Sequence, residues 1–237
     1  MDRNLSPHYG FHSLFQVLVD QVEAVLFLLG FFLFPSFPGH SLDQPFCFPD
    51  AEAAKEAESY LDQKIAECDS VGGVVECVIS GLPVGLGEPV FEKLDANLAK
   101  AILSIGAVKG FEIGDGFAAT KACGSENNDE FRMDGDKIVK ETNHAGGVLG
   151  GISDGSDVIF RAAFKPTPSI AKSQETVTKD GENIDLVIHG RHDPVVVPRA
   201  VVVVESMAAI TAMDMLLMSM TSRLDLIQMF FQVENAD

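Results

Sequence analysis

Three neighbouring side chains, Arg191, His192 and Asp193, could act on an anionic ligand. They offer a planar cation that binds carboxylate or phosphate, an imidazole that titrates near neutral pH, and a carboxylate. Successive side chains of an extended segment point to opposite faces, so we expect Arg191 and Asp193 to share one site while His192 faces away. Taken alone, the run also fits a cluster of surface ion pairs.

A second candidate segment runs from Lys165 to Ser169. Pro166 and Pro168 stiffen this loop, and the hydroxyls of Thr167 and Ser169 offer donors to a phosphate or to the edge of a flavin ring. Lys165 adds a positive charge. The alternative interpretation is a proline-rich turn that simply follows a strand.

Glycines cluster between residues 146 and 155, where backbone amides can approach a ligand because no Cβ intervenes. Their spacing is not G-x-G-x-x-G, and no strand and helix of a dinucleotide-binding unit flank them. The cluster therefore also fits turns that pack two elements together.

Helices and strands that must position these segments are visible in the pattern of residue types. Strong helix formers after an N-cap predict a helix over residues 50–68, and a β-branched run predicts a buried strand over 71–80. Apolar residues on one face predict a helix over 89–103.

The later part of the chain alternates between strand and loop patterns before a long apolar segment. Strands are predicted over residues 116–122, 157–164 and 185–188, and a polar loop over 124–136. A long helix, buried on more than one side, is predicted over 205–231 because no wide polar face interrupts it.

Charge and composition exclude several classes of function. Thirty-five acidic residues against seventeen basic ones give a formal charge of −18, which excludes nucleic acid and an anionic membrane as partners. The apolar stretch 24–34 is too short to span a membrane, which takes about twenty residues. The four cysteines are scattered, so we expect free thiols and no metal site.

The candidate segments together resemble the C-terminal part of the chorismate synthase family. The likeness is carried by Asn-His-Ala-Gly-Gly-Val-Leu-Gly-Gly-Ile-Ser at 143–153, Phe-Lys-Pro-Thr-Pro-Ser-Ile at 164–170 and Gly-Arg-His-Asp-Pro at 190–194. Shorter matches occur at 88–91, 108–114 and 124–130. They follow the family's order and roughly its spacing, from about Pro45 to Leu217.

This resemblance implies an α+β fold, the helix-and-sheet sandwich that the family forms as a homotetramer. It implies a phosphate lyase of the shikimate pathway of aromatic amino acid biosynthesis. Such enzymes convert 5-enolpyruvylshikimate 3-phosphate to chorismate by a 1,4-elimination that needs reduced FMN without net redox change. The implied location is the cytoplasm, or a plastid if the source is a plant or an alga.

The family's site residues can be carried over position by position. Asp193 matches the aspartate near the flavin N5, where a carboxylate accepts or relays a proton. Gly106 stands where the family commonly has Asn. The matching flavin contacts fall on Gly106, Ala107, Gly150, Lys165, Pro166, Thr167, Pro168, Ser169 and Arg191.

Three N-terminal segments of the family are not found in this sequence: Gly-Glu-Ser-His-Gly, an Arg-rich Pro-Gly-Gln segment, and Arg-Ser-Ser-Ala-Arg-Glu. We therefore expect residues 1–44 to be a non-family extension and 45–237 to be an incomplete chorismate synthase-like domain. A substrate with phosphate and carboxylates needs several cations. The alternative to an active enzyme is a truncated, non-catalytic copy that keeps part of the flavin site and the oligomerising region.

Overall fold

A three-stranded antiparallel sheet organises the residues that this computed structural model describes, 51–224 and 227–228. Its strands are, in spatial order, Gly73–Ile79, Val158–Phe164 and Val108–Ile113, and the described residues also form three two-stranded hairpins. In chain order the elements are α1 (Ala51–Ala66), β1 (Gly73–Ile79), α2 (Leu94–Leu103), β2 (Val108–Ile113), a 3-10 helix (Gly116–Lys121), α3 (Gly124–Asn127), β3 (Phe131–Asp134), β4 (Lys137–Lys140), β5 (Val148–Leu149), β6 (Ile152–Ser153), β7 (Val158–Phe164), β8 (Gln174–Val177), β9 (Asn183–Leu186) and α4 (Val197–Thr221).

Strand β7 lies at the centre of the sheet and of the core. Its alternate residues Val158, Phe160, Ala162 and Phe164 are buried, because a strand sends successive side chains to opposite faces. Helices α2 and α4 pack on this face, where burying one large apolar side chain stabilises the fold by about 1.5–3 kcal/mol. The strand predicted over 157–164 is confirmed.

Helix α1 and strand β1 also lie where they are predicted, with boundaries that differ by one or two residues. The prediction that β1 is buried holds for one face only, because Val75 and Ile79 are buried whereas Val74 and Val78 are exposed. Helix α2 begins at Leu94, five residues later than predicted. Lys93 before it is extended, and the amide of Leu94 donates to the carbonyl of Gly151 at 2.8 Å. This contact with a distant turn decides where the helix starts.

The strand predicted over 116–122 is wrong, because these residues form the 3-10 helix and β2 ends earlier, at Ile113. Gly114 and Gly116 have φ of +55° and +52°, which takes the chain out of the sheet. The Glu112 carboxylate then accepts a hydrogen bond from the amide of Phe117 at 3.0 Å. The polar loop predicted over 124–136 instead contains α3 and β3.

The strand predicted over 185–188 is shifted. The structure places β9 two residues earlier, in an antiparallel hairpin with β8 around Gly181, whose φ is +87°. Residues 187 and 188 have left the hairpin and lead into the candidate segment at 190–194.

Helix α4 begins at Val197, eight residues before its predicted start, with Pro198 in its first turn, where a missing N–H costs nothing. It ends at Thr221, with Ser222 as its C-cap, so the uninterrupted helix predicted over 205–231 is wrong beyond that residue. Phe230 and Phe231, at the predicted end, lie outside the described residues. By length and composition α4 could cross a membrane. Its inner face, however, lies in the core against the sheet, through residues that include Ala200, Val204, Ala208 and Ala212.

The outer face of α4 is not covered by the residues that the structure describes. Val203, Ile210 and Leu217 recur every seven residues, and all three are exposed. The helix is predicted to be buried on more than one side. The described residues of this chain bury only its inner side. Mixed helices and antiparallel sheets place the described residues in the α+β class.

Candidate functional site

An open cleft of about 400 Å³ lies between the loop after β7 and the segment that leads into α4. Arginines, hydroxyls, an imidazole and one carboxylate meet there. The lining residues are Thr167, Ser169, Arg191, His192, Asp193 and Arg199. The cleft thus unites the two segments that the sequence singles out for binding and for acid–base chemistry.

Asp193 is paired within this cleft. Its Oδ2 accepts a hydrogen bond from Nη1 of Arg199 at 2.8 Å. Arg199 lies in the first turn of α4, where its amide donates to the carbonyl of Val196. Arg199 is not among the site residues expected from the sequence. The signal that could have found it is its position six residues after Asp193, at the start of the helix.

His192 lines the same cleft as Arg191 and Asp193, so the expectation that it faces away is wrong. The segment at 190–194 is not a regular strand, and the alternation of faces does not apply to it. Nε2 of His192 lies 3.0 Å from the carbonyl oxygen of Ile188, and Nδ1 lies 2.9 Å from Oγ of Ser169. A carbonyl only accepts, so Nε2 carries a proton, and in the neutral ring Ser169 donates to Nδ1.

The loop after β7 is tied to the residues that precede β1 and β2. The amide of Lys165 donates to the carbonyl of Ala107 at 2.9 Å, and Oγ of Ser70 donates to the carbonyl of Thr167 at 2.6 Å. Ala107 has a φ of +73°, which is uncommon for a residue with a Cβ. Gly106 directly precedes it and is exposed. Two of the segments expected to contact flavin are therefore neighbours in space.

Comparison with known proteins assigns the family. The family model described as chorismate synthase matches residues 15–217. The chain belongs to the chorismate synthase family. The match begins ahead of the boundary expected at residue 45, and that boundary lies outside the described residues.

Individual chorismate synthases show how much of the family this chain represents. The enzyme of Lachnoclostridium phytofermentans is 64% identical over 189 residues, which are 79% of this chain and 52% of the relative. That of Agathobacter rectalis is 65% identical over 184 residues, which are 78% and 50%. The chain spans about half the length of the curated relatives it matches.

A solved structure titled "Crystal Structure of Chorismate Synthase" shows a similar fold. It superposes with a TM-score of 0.64 and 29% sequence identity, over 86% of this chain and 56% of that one. The likeness therefore holds for most of this chain and for just over half of that structure.

Three of the nine expected flavin contacts, Thr167, Ser169 and Arg191, line the cleft. The other six are not among its lining residues: Gly106, Ala107, Gly150, Lys165, Pro166 and Pro168. Gly150 belongs to a different part of the fold. It lies in the turn between β5 and β6 with a φ of +62°, next to Gly151, which binds the first residue of α2. Ala107 follows the other end of this ten-residue helix.

A buried ionic network, which the sequence analysis missed, holds the glycine-rich segment. Lys140 Nζ lies 3.3 Å from Oδ2 of Asp129 and 2.7 Å from Oδ2 of Asp154. Asp129 also accepts hydrogen bonds from the amides of His144 and Ala145 at 2.8 and 3.0 Å. These contacts fix the path of the chain just before the glycine turns.

The charge state of this network follows from its donors. Burial acts to raise the pKa of Asp129, but the two backbone amides, the Thr142 hydroxyl and Lys140 together hold it well below its usual range. The pKa of Asp154 is lowered as well: burial again opposes, and the hydrogen bonds from Lys140 and Ser156, with the charge of Lys140, together outweigh it. Both carboxylates are therefore ionised and paired near neutral pH. Within the described ranges no group of three or more His, Cys, Asp or Glu is placed to hold a metal ion.

Proposed function

We propose that this protein serves the chorismate synthase reaction, the 1,4-elimination of phosphate from 5-enolpyruvylshikimate 3-phosphate that gives chorismate in the shikimate pathway. The observation that carries the proposal is the cleft in which the Asp193 carboxylate meets Arg191 and the hydroxyls of Thr167 and Ser169. Family membership supplies the reaction. The relationship to bacterial enzymes supports a cytoplasmic location.

The residues of the cleft fit an anionic flavin at its polar end. Arg191 offers a planar donor fork for a phosphate, and Thr167 offers a hydroxyl. Lys165 is exposed, and its backbone amide donates a hydrogen bond to the carbonyl of Ala107. In the proposed complex Gly106, Ala107, Arg191 and the residues from Lys165 to Ser169 hold reduced FMN. Reduced FMN held by these residues would supply reversible one-electron chemistry to the substrate.

Asp193 is the group of this chain proposed to move a proton. In the elimination, the bond from the ring carbon to the phosphate oxygen breaks, and phosphate leaves with the electron pair. The proton lost from the ring passes to a base, and Asp193 presents a carboxylate at the cleft. Because Oδ2 is held by Arg199, Oδ1 is the oxygen left to accept that proton.

Lys165→Ala is expected to weaken FMN binding by about ten- to a hundredfold, because a charge-assisted contact contributes about 1.5–3 kcal/mol. Fluorescence titration of FMN with the purified chain measures the change. Lys179→Ala, in the exposed turn between β8 and β9, is the matched control and should leave the dissociation constant unchanged. Equal affinities for the Lys165 variant and the unaltered chain would remove Lys165 from the flavin site.

We also propose that the chain assembles as a homotetramer in which the outer face of α4 is covered. Exposed Val203, Ile210 and Leu217 support this, since contiguous apolar stripes mark interfaces. Light scattering should give a mass several times 25.5 kDa. Ile210→Glu should lower that mass, and Lys55→Glu on exposed α1 should not. A stable monomer with α4 accessible to solvent would contradict the assembly.

A second candidate function is binding of flavin and anions with little turnover. The charges of the cleft favour this second function. The described lining contains two arginines, and one of them, Arg199, is already paired with Asp193. The substrate carries a phosphate as well as carboxylates, so its binding needs more cations than these. FMN binding without phosphate release, measured anaerobically on the same preparation, separates the second function from the first.

A further inference from the structure

The ion pair between Arg199 and Asp193 joins a rigid element to a loop. Arg199 is fixed at the start of α4, a 25-residue helix, whereas Asp193 belongs to the irregular segment before it. The side chains are 68% and 36% exposed, respectively. Exposed pairs contribute only about 0–1 kcal/mol to folding stability. The contact therefore adds little to folding stability, and its effect is on the Asp193 carboxylate in the cleft.

The contact has two effects on Asp193. It engages Oδ2, so that the carboxylate is oriented and presents Oδ1 to the cleft. It also places a positive charge 2.8 Å from that oxygen, which neutralises the carboxylate towards any anion that enters. Without this cation an anionic ligand would meet an uncompensated negative charge beside Arg191.

We propose that Arg199 is a positioning residue that acts through Asp193. It holds the carboxylate in one orientation and screens its charge, so that the cleft accepts an anionic flavin. The identity of the ligand as a flavin rests on the proposed function, whereas the ion pair depends only on the observed geometry. The competing role for Arg199 is a direct contact with the phosphate of the ligand, and the experiments below separate the two.

The ion pair is tested first in the ligand-free chain. NMR of the arginine guanidinium protons should show Arg199 shifted and slowed in rotation, and Asp193→Asn should abolish both effects. Arg132 is the matched control, because it is also exposed and paired, with Glu141 at 3.0 Å on the hairpin of β3 and β4. Its signals should not change. Arg199 signals that are indifferent to Asp193→Asn would overturn the inference, whatever the outcome with flavin.

The role of the pair is tested by a double-mutant cycle on FMN affinity. Arg199→Ala should weaken FMN binding by about three- to tenfold. Riboflavin lacks the phosphate, so the same substitution should weaken riboflavin binding less. In the Asp193→Asn background the same change should alter FMN affinity less than about twofold. Arg199→Lys, which keeps the charge, should recover part of the loss, and Arg132→Ala should have no effect.

The outcomes distinguish this inference from the proposed function. An equal loss from Arg199→Ala in both backgrounds would show that Arg199 contacts the ligand directly and would overturn a role through Asp193. Failure of the unaltered chain to bind FMN would contradict the proposed function. The NMR measurement would still decide on the ion pair, and inorganic phosphate would then replace FMN as the anionic probe of the cycle.

Discussion

Lys140→Met is expected to lower the free energy of unfolding by about 3–5 kcal/mol, because it leaves two buried carboxylates without a cation. The ammonium group bridges Asp129 and Asp154, and the three side chains are only 3%, 2% and 7% exposed. The methionine fills a similar volume but cannot compensate either charge. Urea denaturation of both proteins, monitored by circular dichroism, measures the difference.

Lys100→Met is the matched control for this prediction. Its ammonium group lies 3.6 Å from Glu92 and is 70% exposed, so its removal should cost less than about 1 kcal/mol. If the Lys140 variant lost no more than the Lys100 variant, the network would not contribute to folding in the way that its burial implies.

The pH dependence of stability supplies a second test of the same network. The pKa values of Asp129 and Asp154 are lowered by folding, so both carboxylates contribute stability that is fully present above their unfolded pKa of about 3.9. That contribution is lost as the pH falls through their folded values. The free energy of unfolding should therefore decline below about pH 4 in the unaltered chain.

Much of the fold follows from local patterns, and the errors of the sequence-based prediction have both local and long-range causes. Strand β7 and helix α1 are predictable because alternation and helix propensity act within the element itself. The strand predicted over 116–122 fails because Gly114 and Gly116 take positive φ and Glu112 accepts the Phe117 amide. The first residue of α2 depends on Gly151, more than fifty positions away in the chain.

The candidate site was predictable as segments but not as contacts. Thr167 and Ser169 of one segment line the same cleft as Arg191, His192 and Asp193 of the other. The pairing of His192 with Ser169 depends on the irregular path of the chain after β9, which no periodicity reveals. The ionic network around Lys140 lies where the sequence shows polar residues and turns, because burial of a charge is a property of the folded chain.

The 237-residue chain alone is expected to release phosphate from 5-enolpyruvylshikimate 3-phosphate at least about 10²-fold more slowly than a full-length relative, even with excess reduced FMN. The described cleft offers two arginines, one of them paired with Asp193, to a substrate that carries a phosphate and carboxylates. Asp193 supplies one proton-transfer group, and each further acid or base that is missing costs typically 10²–10⁴-fold. An anaerobic phosphate-release assay measures the rate.

The matched experiment adds the part of the Lachnoclostridium phytofermentans enzyme that this chain does not match, roughly its other half. We expect reconstitution to raise the rate, because the family resemblance implies that the added part carries an Arg-rich segment that would bind the anionic substrate. In the reconstituted enzyme Asp193→Asn should lower kcat by about 10²–10⁴-fold, since the amide cannot accept the proton. Turnover by this chain alone near that of the full-length relative, abolished by Asp193→Ala, would instead show that its own residues complete the site.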